Sequence, residues 1–113
     1  MELKRVVVTG LGAITPLGND VDTTWSAALA GVSGAAPITH FDASQFKTKF
    51  ACEVKNFNAA EYFDRKKLRQ LDLYAQYALY AARQAVADAG IETEGAIDKN
   101  RVGVIIAAGI GGL

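Results

Sequence analysis

Arg5-Val6-Val7-Val8-Thr9-Gly10-Leu11-Gly12 opens with three consecutive β-branched residues and breaks at a Gly-x-Gly step. A short, continuous apolar run of this kind predicts a strand buried on both faces, as in a parallel sheet. Pro16 and Gly18 keep the following turn irregular, and Asn19 or Asp20 is placed to cap a helix, with Asp22 adding favourable charge in its first turn. Val21, Trp25, Ala28 and Leu29 fall on one face of that helix, and Gly31 supplies the left-handed residue that commonly ends one.

Working outward, residues 31 to 47 read as loop, and loops this long belong to binding surfaces or interfaces more often than to compact cores. In Lys49–Lys55, Phe50, Cys52 and Val54 alternate with Ala51 and Glu53, which predicts a half-buried strand. A long helix is predicted from Arg65 to Ala89, capped by Asp64 and stopped by Gly90. Its stripe of Leu68, Leu71, Ala75, Ala78, Ala82, Ala85 and Ala89 is mostly alanine, so another element can approach its backbone closely. Tyr74, Tyr77, Leu79 and Val86 widen the apolar surface to several sides. After the polar segment 92–100, Val102-Gly103-Val104-Ile105-Ile106-Ala107-Ala108 reads as a second buried strand, and Gly109-Ile110-Gly111-Gly112 as a sharp loop of open backbone. Strand, helix, weak strand, long helix and strand in this order predict an α/β layered fold.

Composition narrows the function. Twelve basic and twelve acidic residues cancel, which excludes a strongly basic nucleic-acid wrapper, and 50% apolar residues exclude a disordered chain. One cysteine and one histidine build neither a disulfide framework nor a closed zinc site. The apolar start is interrupted by Thr9, Gly10, Gly12 and Pro16, unlike a secretory signal, and the apolar run from Val102 is too short for a bilayer. These features predict a reduced, cytoplasmic globular protein. The chain stops inside an apolar, glycine-rich stretch, which is expected of a piece of something longer, with apolar faces left uncovered when it is taken alone.

Four features are candidates for chemistry. The Gly10-Leu11-Gly12 turn follows a strand, but Thr15 stands where a dinucleotide fingerprint needs its third glycine, so the glycines are expected to serve a tight turn. Cys52 has the chemistry of a nucleophile, yet no helix N-terminus follows it, and a small buried apolar role is expected. His40 is a candidate base beside Asp42, or a hydrogen-bonded loop histidine. Arg65, Lys66, Lys67 and Arg69 oppose the dipole of the predicted helix, so they form either a solvated face or a docking patch for an acidic partner.

In ordered combination these stretches resemble a known family. Arg5–Gly12 with Thr15-Pro16-Leu17-Gly18-Asn19, then Trp25, Gly31-Val32-Ser33-Gly34, His40-Phe41-Asp42 and Lys49-Phe50-Ala51 are similar to the β-ketoacyl-acyl-carrier-protein synthases. Asp64-Arg65-Lys66, Asp72, Gln76-Tyr77, Asp88-Ala89-Gly90-Ile91 and Arg101-Val102-Gly103-Val104 continue the likeness, and the closing Gly109-Ile110-Gly111-Gly112-Leu113 is closer to the synthase II branch. The resemblance implies a thiolase-like fold, layered α-β-α-β-α, of which residues 1–113 form the N-terminal portion of the first half. It implies condensation of acyl- and malonyl-acyl-carrier protein through an acyl-cysteine, with no catalytic residue in this chain, no cofactor beyond the carrier's phosphopantetheine arm, and a homodimer when complete. It further implies that Gly109, Ile110 and Gly111 line the acyl pocket, and that Arg65, Lys66 and Arg69 contact the carrier protein, with Gln70 replacing a basic residue of many relatives. A polyketide ketosynthase shares these motifs, and a non-catalytic carrier-binding or dimer-forming module is the alternative of a different class.

Overall fold

The computed structural model describes residues 3–91, 95 and 97–112. Its spine is a 17-residue helix, and the rest of the chain is arranged around it. In chain order the elements are α1 (Val21–Leu29), β1 (Ala36–Pro37), β2 (Phe50–Ala51), α2 (Arg65–Leu68) and α3 (Leu73–Ala89), with single 3-10 turns at Ala59–Glu61 and Lys99–Arg101.

Asp20 begins α1 as a cap: its carboxylate accepts from the Thr23 N–H at 2.7 Å and from the Thr23 hydroxyl at 2.8 Å. Gly31 follows the last turn at φ 69°. The helix is rotated away from its predicted face, because the Thr24 hydroxyl lies 3.1 Å from that of Thr15 and donates to Gly18 O at 3.2 Å. Those bonds turn Val21, Thr24 and Ala27 inward and leave Trp25 and Leu29 exposed.

The predicted strand at Lys49–Lys55 shrinks to β2, which pairs antiparallel with β1 in the register Ala36↔Ala51 and Pro37↔Phe50. Its alternation is also reversed. Phe50 and Cys52 point outward, while Ala51 and Glu53 are half-buried. Glu53 sets this phase, since its carboxylate accepts from the Thr39 N–H, the Thr39 hydroxyl at 2.7 Å and the His40 N–H. Three donors on one carboxylate outweigh the preference of a single Phe or Cys for the inner face.

The predicted long helix is two helices. Asp64 caps as expected, accepting from the Lys67 N–H at 2.8 Å, but α2 closes after one turn. Asp72 then adopts an extended backbone at φ −65° and ψ 160°, and the chain starts again as α3. The Gln76 side chain donates to Leu71 O at 2.9 Å, satisfying a carbonyl that the break exposes. Gly90 ends α3 in the left-handed conformation at φ 66°.

Residues 10–13 run antiparallel along the C-terminal half of α3. Leu11 N–H donates to Asp88 Oδ2 at 2.9 Å, and Ala13 N–H donates to Gln84 Oε1 at 3.1 Å. Between these bonds the backbone lies on the alanine stripe. A Cβ at Gly10 would fall 2.8 Å from the Cβ of Ala89, and one at Gly12 would fall 2.8 Å from Ala85 N and overlap Ala81 O. Gly10 and Gly12 are not among the glycines with positive φ. They are required by close approach to a helix, not by the tight turn expected of them.

On another side of α3, Phe57 meets Tyr77 and Tyr80 edge-on with centroids 5.3 and 5.2 Å apart, and Tyr62 meets Tyr80 at 4.6 Å. The Tyr80 hydroxyl, as hydrogen-bond partner and neighbour, raises the Tyr62 phenol above its ordinary value, and burial followed by the Glu53 charge raises Tyr77. Phe63, next to Tyr62 in the chain, is the one buried apolar side chain of the described residues, at 6% exposure.

The two predicted buried strands do not become ladders among the described residues. Val6 and Ile105 are 89% and 97% exposed, and neither 6–8 nor 102–108 pairs with a strand. The chain exposes 9442 Å², against about 6,000 Å² for a compact 12 kDa protein. Its radius of gyration is 17.5 Å where about 13 Å is usual for this length. Strands buried on both faces need a strand on either side and helices above and below. The apolar faces predicted to be uncovered are uncovered.

Candidate functional site

The basic turn is built from its N-terminal side. Asn58 Oδ1 accepts from the Ala60 N–H at 3.2 Å and opens the 3-10 turn, Phe63 anchors its end, and Asp64 caps α2. Arg65, Lys66, Lys67 and Arg69 then project into solvent, and among the described residues none of them lies within 4.0 Å of an acidic group. Because α2 is one turn long, its basic residues stand in its last turn as much as in its first. The opposition to a long helix dipole predicted for them is therefore absent, and what remains is an unpaired positive cluster on a short, capped turn.

The glycine-rich loop meets the same end of α3. Gly111 has φ 80°, and a Cβ there would sit 3.4 Å from the Tyr74 ring. Gly112 lies against Asp72, where a Cβ would come 2.7 Å from the Asp72 Cβ. Ile110 is 77% exposed, and the space around Gly109 is open to 4 Å. Gly112 thus reaches Asp72, the residue that opens α3 shortly after Arg69 in the chain. Leu113, the last residue of the closing motif, lies outside the described residues.

The other candidates stand apart from this corner. Cys52 is exposed, which corrects the expectation of burial and follows from the reversed phase of β2. His40 Nε2 lies 3.9 Å from Glu53 Oε1, while Asp42 turns away to accept from the Ser44 N–H at 2.9 Å. His40 thus lies in a loop, and the hydrogen bond it makes to Glu53 comes from its backbone N–H and not from its ring. A cleft of about 250 Å³ lined by Thr15, Pro16, Asn19, Lys55 and Asn56, and one of about 470 Å³ between Asp20, Gln84 and Asp88, involve none of the predicted site residues. Among the described residues no three potential metal ligands cluster, and no helix is long and apolar enough to cross a membrane. Sequence reasoning missed Gln84 and Asp88, the side chains that grip residues 11 and 13. Their four-residue spacing beside the alanine stripe was the available signal.

Residues 3–113 match the model of the family described as "Beta-ketoacyl synthase, N-terminal domain". The chain belongs to the β-ketoacyl synthase family. This synthase segment is 50% identical over 113 residues to the 3-oxoacyl-[acyl-carrier-protein] synthase 2 of Coxiella burnetii, covering 100% of the chain and 27% of the relative. The protein of that name from Staphylococcus aureus strain COL is 49% identical, covering 97% of the chain and 26% of the relative, and that from Vibrio harveyi is 48% identical, covering 100% and 27%. The chain thus spans about a quarter of the length of the curated relatives it matches. Among solved structures, the ishigamide ketosynthase/chain length factor superposes with a TM-score of 0.68 at 42% identity, over 74% of this chain and 21% of that one. The synthase segment therefore has the N-terminal part of a thiolase-like ketosynthase fold, and the α/β class expected from its element order holds.

Proposed function

We propose that residues 1–113 are the N-terminal portion of the first half of a 3-oxoacyl-[acyl-carrier-protein] synthase of fatty-acid elongation, acting in the cytoplasm as a homodimer. In the complete enzyme a cysteine thiolate takes the acyl group from an acyl-carrier protein, releasing the carrier's thiol. Malonyl-carrier protein loses carbon dioxide, and the resulting carbanion attacks the acyl-cysteine carbonyl. A carbon–carbon bond forms and the enzyme thiolate leaves. The nucleophile and its assisting histidines are assigned outside these residues, and Cys52 and His40 have no part in the chemistry. No cofactor is required beyond the phosphopantetheine arm brought by the carrier.

The observation that carries this reading is the identity of about half of all positions, along the whole segment, with synthases of that name. Two local features support it. Arg65, Lys66 and Arg69 form an exposed, unpaired basic turn suited to an acidic carrier surface. Gly109, Ile110 and Gly111 offer bare backbone and one branched apolar side chain, the lining a narrow acyl tunnel needs.

Supplying the full-length protein with malonyl- and acyl-carrier protein should yield a 3-oxoacyl product two carbons longer, whereas residues 1–113 alone should yield none. Turnover by the bare segment would contradict the assignment of the catalytic groups. A ketosynthase of polyketide assembly is a second reading, favoured by the likeness to the ishigamide ketosynthase/chain length factor. Identification of the product as a fatty-acid or a polyketide intermediate separates the two. If the full-length protein binds carrier without forming product, the reading as a non-catalytic module takes their place.

A further inference from the structure

We infer that Arg83 is the residue that holds the basic turn in its docking orientation, an inference that rests on the reading of Arg65, Lys66 and Arg69 as the carrier contact. A helix of four residues does not hold itself in place, because nucleating one turn costs more than its own hydrogen bonds return. Its direction has to be imposed from outside. Immediately before it, two adjacent residues are engaged by one guanidinium. Arg83 Nη1 donates to Tyr62 O at 2.6 Å, and Arg83 Cζ stands 5.1 Å from the centroid of the Phe63 ring. One N–H takes the carbonyl while the guanidinium carbon lies over the aromatic ring, two contacts for which the planar, delocalised fork of Arg is better suited than the point charge of Lys.

Phe63 is the buried anchor, and the next residue, Asp64, caps the turn through Lys67 N–H. Arg83 is therefore joined to the docking side chains through a short series of fixed neighbours: Tyr62 and Phe63, then Asp64, then α2. Tyr62 is also held by Tyr80 one helical turn earlier on α3, so the segment is located from the same helix at two points. Arg83 is a positioning residue. Its charge is committed to Tyr62 and Phe63, while Arg65, Lys66 and Arg69 are left to meet a partner.

The test uses the full-length protein and compares an acyl chain delivered on its carrier protein with the same chain on free pantetheine. Arg83→Gln should raise KM for the carrier-bound substrate about fivefold, the scale of one ordinary hydrogen bond, with kcat and the pantetheine KM each within about twofold. Arg83→Lys keeps the charge but not the planar fork, and should raise the carrier KM about threefold. Should Arg83→Gln not fold, the lysine variant makes the same comparison. Lys66→Glu is the control for docking itself. A KM that rises equally for both substrates would reduce Arg83 to general stability and overturn the inference. So would an unchanged carrier KM in the Arg83 variants while Lys66→Glu raises it. No effect of Lys66→Glu would instead remove the docking reading, and the role of Arg83 with it.

Discussion

Two glycine pairs in this chain look alike on paper and do opposite things. Gly10 and Gly12 flank Leu11 where the backbone lies on α3, and a single added methyl at either would strike the helix. Gly109 and Gly111 flank Ile110 where the chain stands open, and the demand at Gly111 is conformational, a φ of 80°. The first pair is small because something is already there. The second is small where the backbone bends sharply and, on the proposed function, where an acyl chain has to pass.

Substitutions should separate the two pairs in order of size. Gly12→Ala places a Cβ against Ala81 O and Ala85 N, backbone atoms that cannot swing aside. It should lower the stability of the full-length protein by about 3 kcal/mol, the upper end for overpacking, read from the denaturant midpoint. An unchanged midpoint would break the contrast at its stronger side. Gly111→Ala should cost about 1–2 kcal/mol, the penalty of a left-handed backbone for an L side chain.

Smaller effects belong to the caps that frame these segments. Asp20→Ala removes both bonds to Thr23 and should lower the midpoint of thermal or chemical unfolding, by less than Gly111→Ala does. The smallest expected effect is on pH dependence. The Thr39 hydroxyl holds the Glu53 carboxyl below its ordinary 4.5, and the Thr23 N–H, then its hydroxyl, hold Asp20 below 3.8. A carboxylate whose folded pKa lies below its unfolded one stabilises the fold at pH above the unfolded value, and that contribution is lost as pH falls through the folded value. Glu53→Gln should therefore flatten the acid limb of a stability–pH curve below about pH 4.5. An identical acid limb in the variant would show that Glu53 bonds no more strongly in the folded state than in the unfolded.

What was legible in the sequence was what neighbours in sequence decide. Asp20 and Asp64 cap because their carboxylates reach N–H groups three residues on, and Gly31 and Gly90 follow helices because only glycine is comfortable at φ near 70°. The alanine stripe announced a close-packed partner, and one is there. The rotation of α1, the phase of β2 and the division of the long helix escaped because each depends on a bond the pattern does not display: Thr24 to Thr15, Glu53 to Thr39 and His40, and Gln76 to Leu71. At the site, the exposure of Arg65, Lys66 and Arg69 followed from their charge, whereas their assigned partner came from resemblance. Nothing local indicated that Gly112 would come to rest against Asp72.

The antiparallel seat of residues 10–13 on α3 also has a consequence in time. Leu11 and Asp88 are 77 residues apart in the chain, and Ala13 and Gln84 are 71 apart. At a synthesis rate of about 5–20 residues per second, the N-terminal segment leaves its assembly line roughly 4–15 s before the helix it requires exists. During that interval residues 10–13 have no α3 to lie on, so the backbone N–H groups of Leu11 and Ala13 wait without the side chains that later hold them. The pace of translation through the codons for α3 should then weigh more on the yield of folded protein than the pace through the codons for residues 5–12 themselves.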